Sequence, residues 1–438
     1  MLRSLLLKTA AAAKADGATD MLVRYHPLIR RRLLHRMEEF HAPAADVSAL
    51  SDALTARVLN AAQLTSYGAG RTCRLSDWPV LDKETLRTTP KFINPRSLIR
   101  IPAGTGGTNG VPLKLWRSLE SVVAEQAFLD SILAPYGLSM RSRVAVLRAD
   151  TVKPPGYAAP PYGRISHGGR RLTLSSPHLS PQTLRWYYDS LRDFAPSVLW
   201  VYPSMATNLL RLLGQADLPL RIPVILASSE MLLGSAHRAL EAWFQCRVIN
   251  YYGQAERVCL AYSTKPEEFY FSPGYGRVEL NASPPGNSEG DHYVRIIGTG
   301  YWNLAMPLIR YHTGDYLYVP KEYGEKELAD IAIGRRPFTS MAGREGEYIL
   351  TRDGMRIIGL NQIPREIEHI SQIQLVQPDF DTLQVNVIAL PGFSAADAAA
   401  LRDQARAKLP SSIQVAVQPV ERLLTTARGK TPFVIRHV

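Results

Sequence analysis

Short apolar runs at residues 144–147, 197–201 and 224–226 alternate with longer helical segments at 119–133 and 181–194. A strand that is followed by a helix before the next strand can rejoin its sheet in the same direction. The alternation therefore requires an α/β domain with an at least partly parallel sheet. With 438 residues, 46% of them hydrophobic, there is enough chain for more than one core, and two domains are expected. Beyond Gly343 the pattern changes. Leu383, Val385 and Val387 alternate like a half-buried strand, residues 394–409 read as a capped helix, and Ile413, Val415 and Val417 alternate again. The expected division is a large domain at 1–342, with a helical leader at 1–75, and a small α+β domain at 343–438.

A formal net charge of +12 draws in nucleic acid, an anionic membrane or an acidic small molecule alike. No zinc-finger spacing, aromatic RNA-binding signature or dense lysine tract is present, so a nucleic-acid partner is not expected. Cys73, Cys246 and Cys259 lack metal-site spacing and read as thiols in a reducing compartment. Leu5, Leu6 and Leu7 are cut short by Lys8, too few for a signal peptide, and no uncharged apolar run is long enough to span a bilayer. A soluble, cytoplasmic protein is the expectation, as monomer or homodimer. Across residues 21–40, Leu28, Ile29, Leu33, Leu34 and Met37 recur at near-helical spacing opposite Arg30, Arg32, Arg36 and Glu39. This predicts one amphipathic helix packed on its own domain. Proline and glycine crowd residues 153–161, which predicts a long loop.

Three segments carry chemistry. Thr105-Gly106-Gly107-Thr108-Asn109-Gly110-Val111-Pro112 combines glycines, whose backbone amides can close on phosphate oxygens, with threonine hydroxyls as further donors. It lacks the Gly-Lys-Ser/Thr ending of a Walker A loop. In Ile249-Asn250-Tyr251-Tyr252-Gly253-Gln254-Ala255-Glu256 a ring able to stack on a base precedes a carboxylate able to hold magnesium. In Met306-Pro307-Leu308-Ile309-Arg310-Tyr311-His312-Thr313-Gly314-Asp315 an apolar strand is expected to end in Thr-Gly-Asp, an acid suited to ribose hydroxyls.

In this order the segments resemble the core motifs of the adenylate-forming superfamily of acyl-CoA synthetases, adenylation domains and luciferase. The chain is most similar to the phenylacetate-CoA ligase branch and its relatives in capsular polysaccharide biosynthesis. Trp78-Pro79-Val80-Leu81-Asp82-Lys83-Glu84-Thr85-Leu86-Arg87 and Ser228-Ser229-Glu230 also resemble that branch, and the matches run from about residue 78 to the C-terminus. Gly343-Arg344-Glu345-Gly346-Glu347 resembles the family's hinge, and Arg428-Gly429-Lys430 its catalytic lysine segment.

The resemblance implies an ATP- and Mg2+-dependent ligase that forms an acyl adenylate from a small carboxylic acid. It then passes the acyl group to coenzyme A or to the phosphopantetheine of an acyl carrier protein. Under it, Thr105, Gly106, Gly107, Thr108, Asn109 and Gly110 hold the phosphates, and Ser228, Ser229, Glu230, Tyr251, Tyr252 and Gly253 meet the adenine. Asp315 and Arg344 take the ribose, Glu256 and Thr108 position Mg2+, and Lys430 stabilises the charge of the attack on the α-phosphate. Glu347 is the pivot about which a mobile small domain turns. The acid pocket falls around Tyr202, Pro203 and Ser204, with Tyr162, His167 and Trp200 as further contributors, and family analogy suggests an aromatic or medium-sized hydrophobic acid.

Departures from the pattern are Gly106 for serine, Asn109 and Ala255 for threonine, His312 for arginine, and Glu347 for aspartate. They leave the acid, the ribose aspartate and the lysine in place. The alternatives are an amide-forming ligase and a non-catalytic nucleotide-binding homologue.

Overall fold

A computed structural model describes residues 17–43, 45–87, 89–104, 113–148, 150, 152–154, 156–282, 292–344, 347–357, 360–364, 366–426 and 430–438. Its largest sheet has, among the described residues, eight strands. Five of them are parallel and run in the spatial order Arg171–Leu174, Val144–Leu147, Val198–Val201, Val224–Ser228, Arg247–Gly253. Gly163–Ser166 closes one edge antiparallel, and Leu260–Ser263 with Phe269–Phe271 closes the other. The order of the five parallel strands reverses between Val144–Leu147 and Val198–Val201. Such a reversal opens a crevice at the carboxyl ends of the two strands, because their crossover helices depart to opposite faces.

Both faces of this sheet are covered, which is why its strands read as unbroken apolar runs rather than alternating ones. Val144, Val198, Val224, Leu226 and Ile249 pack towards the helix Leu119–Leu133 and the leader. Ala145, Leu147, Leu199, Val201, Ile225 and Val248 pack towards the helices Leu184–Phe194, Pro203–Gln215 and Gly234–Phe244.

The leader departs from the single predicted helix. It forms Ala18–Arg24 and Pro27–His41, then Val47–Gln63. Pro27 explains the break: it has no N–H to continue a helix but suits a first turn. Leu33, Met37 and Phe40 are buried and Arg30 pairs with Asp130 of Leu119–Leu133 at 3.0 Å, so the helix does pack on its own domain. Leu28, assigned to the apolar face, is instead 69% exposed. Among the described residues, no helix is long and apolar enough to cross a membrane.

A four-stranded antiparallel sheet of Gly276–Ala282, His292–Gly300, Tyr311–Val319 and Ser340–Arg344 has its own core. The C-terminal sheet orders Gln414–Pro419, Thr382–Ala389, Ile370–Asp379 and Val434–Arg436. The helix Ala395–Arg406 packs on it, capped as predicted by Ser394 and Asp397. This sheet domain meets the large sheet's layer through the helix Gly234–Phe244. Leu233 and Ala236 join its apolar core, Ser235 Oγ donates to the Ile370 carbonyl at 2.6 Å, and Gln372 Nε2 donates to the Ser204 carbonyl at 3.1 Å.

Leu226 is fully buried at the centre of the parallel sheet. Leu226→Ala is expected to lower stability by about 2–5 kcal/mol in a urea titration, from lost burial plus the cavity left behind.

Candidate active site

The parallel strand Val224–Ser228 ends at Ser229, whose φ of +72° turns the chain sharply across the sheet's carboxyl edge. There a cleft of about 420 Å³ opens, lined among others by Ser229, Glu230, Tyr252, Asp315, Glu347 and Lys430. Tyr251 and Gly253 border it as well, whereas Ser228 is buried inside its strand. Residues assigned from five separate sequence motifs thus come together around one cavity.

Glu230 is the central carboxylate. Its Oε2 accepts the backbone N–H of Ser204 at 2.9 Å, in the first turn of Pro203–Gln215, and its Oε1 accepts that of Thr431 at 3.0 Å. Burial pushes its carboxyl above the ordinary carboxylate range, against those two hydrogen bonds and the nearby charge of Lys430. The neighbouring Lys430 places Nζ 5.5 Å from the centre of the Tyr202 ring, and its backbone is braced by Thr426, whose N–H donates to the Lys430 carbonyl at 2.8 Å.

On the other wall, Tyr252 donates its hydroxyl to Asp315 Oδ2 at 2.7 Å. Burial, with Asp315 beside it, drives the Tyr252 hydroxyl far above its usual pKa, so it stays a donor. Asp315 does not stand at a strand's end as predicted. It lies within Tyr311–Val319, in an irregularity where residues 313–315 face Ile296 across the ladder. Gly314, at φ +78°, permits that irregularity, and Thr313 fixes it by donating to the Ile296 carbonyl and accepting the Asp315 N–H, both at 3.1 Å. The register sets Arg344 opposite Asp315 on the next strand.

The run from Trp78 to Arg87 holds the start of that strand. Leu81 takes a backbone bond from His312 and gives one to Arg310, while the Arg310 guanidinium reaches the Trp78 carbonyl at 2.9 Å and Glu279 at 3.0 Å. Glu256 is 9% exposed, accepts the Tyr311 hydroxyl at 2.9 Å through Oε1, and does not line the cleft.

Of the expected acid-pocket residues, Tyr202 lines a second cavity, of about 290 Å³, together with Trp200, Arg148, Asp150, Arg171 and Thr173. Pro203 and Ser204 are buried in the first turn of their helix, where Ser204 serves Glu230. Tyr162 packs on the opposite face against His178, Trp186 and Tyr187, and His167 lies near Asp20 of the leader. Arg148 was missed by the sequence reading. The available signal was its place directly after the strand 144–147, where side chains of a parallel sheet reach the crevice.

Residues 105–112, with Thr105, Gly106, Gly107, Thr108, Asn109 and Gly110, lie outside the described residues, as do 345–346, Arg428, Gly429 and the Arg344 side chain.

The family description "CapK C-terminal domain" matches residues 349–437. Protein CapK of Staphylococcus aureus is 23% identical over 324 residues, covering 72% of this chain and 69% of that protein. Two solved structures of 2-hydroxyisobutyryl-CoA ligase in the postadenylation state, in complex with R3-HIB-AMP and with 2-HIB-AMP, superpose with TM-scores of 0.57 and 0.58. Their identities are 15% and 16%, and each comparison covers 90% of both chains. Parallel sheet, antiparallel sheet and C-terminal sheet domain together give this chain the fold seen in 2-hydroxyisobutyryl-CoA ligase, with residues 349–437 similar to the CapK C-terminal domain.

Proposed function

We propose that the chain adenylates a small carboxylic acid with ATP and then transfers the acyl group to the thiol of coenzyme A or of a carrier protein. The observation that carries this reading is the convergence of Tyr252, Asp315, Glu347 and Lys430 on the cleft beside Glu230. One wall offers a fixed acceptor and a ring, as a nucleoside needs; the other offers a cation where charge builds.

In the first half-reaction a carboxylate oxygen bonds to the α-phosphorus, the bond from the α-phosphorus to the α,β-bridging oxygen breaks, and pyrophosphate leaves with that oxygen. Lys430 stabilises the developing negative charge, and Tyr202, beneath its ammonium, holds it in place by a cation–π contact. Asp315, with its partner Tyr252 kept protonated by burial, accepts from the ribose. In the second half-reaction the thiol sulfur bonds to the acyl carbon, its proton leaves to solvent, and AMP departs with the mixed-anhydride oxygen.

Glu256 would be the magnesium ligand, although it is buried and does not itself line the cleft. Tyr311 occupies Oε1, and among the described residues no donor occupies Oε2, which leaves a hard oxygen for a cation whose other ligands are phosphate and water. When bound, the ion screens the phosphates from the incoming carboxylate. Glu347 and residues 343–438 form the proposed hinge and mobile domain.

Three outcomes follow. Acid-dependent pyrophosphate release is expected from the wild type with ATP and Mg2+, falling by about 100-fold or more in Lys430→Ala. Equal rates in the two proteins would remove Lys430 from the reaction, and stimulation by coenzyme A identifies the acceptor. Asp315→Ala is expected to raise the KM for ATP by about 10- to 100-fold, since it deletes a buried acceptor and strands the Tyr252 hydroxyl.

The Glu230 prediction concerns pH. A pKa raised in the folded state adds stability that is complete below the unfolded value, about 4.3 for glutamate, and is lost as pH rises through the folded value. The stability of wild type relative to Glu230→Gln is therefore expected to decline with rising pH in thermal unfolding. A pH-independent difference would contradict the burial described here.

A further inference from the structure

The second cavity sits where the parallel-strand order reverses, at the carboxyl ends of Val144–Leu147 and Val198–Val201. At about 290 Å³ it lies at the small end of ligand sites. Its lining is polar for a site that would take an aryl or alkyl group. Arg148 and Arg171 supply two guanidinium groups, Asp150 one carboxylate, and Thr173 a hydroxyl.

Arg148 is held as a receptor would hold it. Its guanidinium stacks 4.0 Å from the centre of the Trp200 ring and 5.2 Å from that of Tyr202. One edge donates through Nη2 to Ser229 Oγ at 3.1 Å, while the buried Nε has no hydrogen-bond partner among the described residues. Stacking and a single anchoring bond fix the plane of the fork without satisfying it. That is the arrangement in which a planar acceptor with two oxygens gains most from binding. Burial lowers the Arg171 pKa and raises that of Asp150, so both groups are desolvated in the same place. The lining retains an excess of positive charge.

This cavity adjoins the reacting end of the cleft. Ser229 lines the cleft and receives the Arg148 bond, and Arg148 and Lys430 both lie against the Tyr202 ring, 5.2 and 5.5 Å from its centre. A short acid would therefore reach from one cation to the other past a single aromatic ring. An alkyl chain here would leave the Arg148 Nε without a partner and the excess positive charge of the lining without solvent, an expensive outcome.

We propose that the second cavity binds the distal carboxylate of a short dicarboxylic acid, with Arg148 as the specificity-determining residue, while the other carboxylate lies towards Lys430. The assignment rests on the adenylation reading for what happens at Lys430, but the cavity's preference stands on its own lining. The net charge of +12 favours the approach of such a dianion.

The test is calorimetric titration of the full-length protein with the series malonate, succinate, glutarate and adipate, against butyrate and phenylacetate, followed by pyrophosphate release with ATP and Mg2+. At least one diacid is expected to bind more tightly than either monoacid, and Arg148→Gln is expected to weaken that diacid by about 10- to 100-fold. Arg148→Lys, which keeps the charge but not the fork, should fall between. A wild type that prefers butyrate or phenylacetate, or binds no diacid in the series, overturns the proposal, and that comparison decides even if the variants do not fold. So does a diacid affinity that Arg148→Gln leaves intact in a folded protein. Arg148-dependent diacid binding without pyrophosphate release would uphold the cavity assignment and sink adenylation. Pyrophosphate release with monoacids alone would do the reverse.

Discussion

One carboxylate ties the candidate active site together. Glu230 accepts a backbone N–H from the first turn of Pro203–Gln215 and another from Thr431, next to Lys430. Helix Pro203–Gln215 brings the positive end of its dipole to the same oxygen atoms, which helps a buried acid accept both bonds. Through this contact the segment carrying the lysine is set against the edge of the parallel sheet, and the Lys430 ammonium finds the Tyr202 ring. The contact also places a charge where burial opposes it, so the arrangement depends on having both donors at once.

The geometry around that carboxylate follows from the parallel sheet. Serine and glycine at the ends of adjacent strands, Ser229 after Val224–Ser228 and Gly253 at the end of Arg247–Gly253, arrive at one edge because parallel strands all finish there. The antiparallel sheet supplies the second wall. A single irregularity at Gly314 rotates Asp315 towards Tyr252.

Much of this was legible before any coordinates. The helix Leu119–Leu133 and the strand Val144–Leu147 coincide with the expected segments, because both are long or uniformly apolar and end in clear caps or charges. Tyr252 and Asp315 were read from the chemistry of their own segments and Lys430 from the resemblance to the adenylate-forming superfamily, and the fold brings all three to one cleft. What escaped was non-local. The setting of Asp315 depends on a ladder with Ile296, and no period in the sequence announces a bulge. Arg148 and Arg171 come to one cavity only through the reversal of strand order, so the cavity lined by Tyr202, a residue placed by family analogy in a pocket for an aromatic or hydrophobic acid, is also lined by two guanidinium groups. The break at Pro27 was visible in the sequence, but near-helical spacing on both sides outweighed it.

The link between Leu81 and the start of Tyr311–Val319 has a bearing on how the molecule comes to exist at all. Trp78 and Arg310 meet across 232 positions of chain, whereas the parallel sheet is built from strands at 144–147, 171–174, 198–201, 224–228 and 247–253, each closed by a far shorter connection. Closing the long loop is entropically unfavourable until the surfaces it joins have formed. The order of assembly should then run from sheet to wall: a chain leaving the ribosome can complete its parallel core while the strand that bears Asp315 is still unmade, and the cleft is the last feature it acquires.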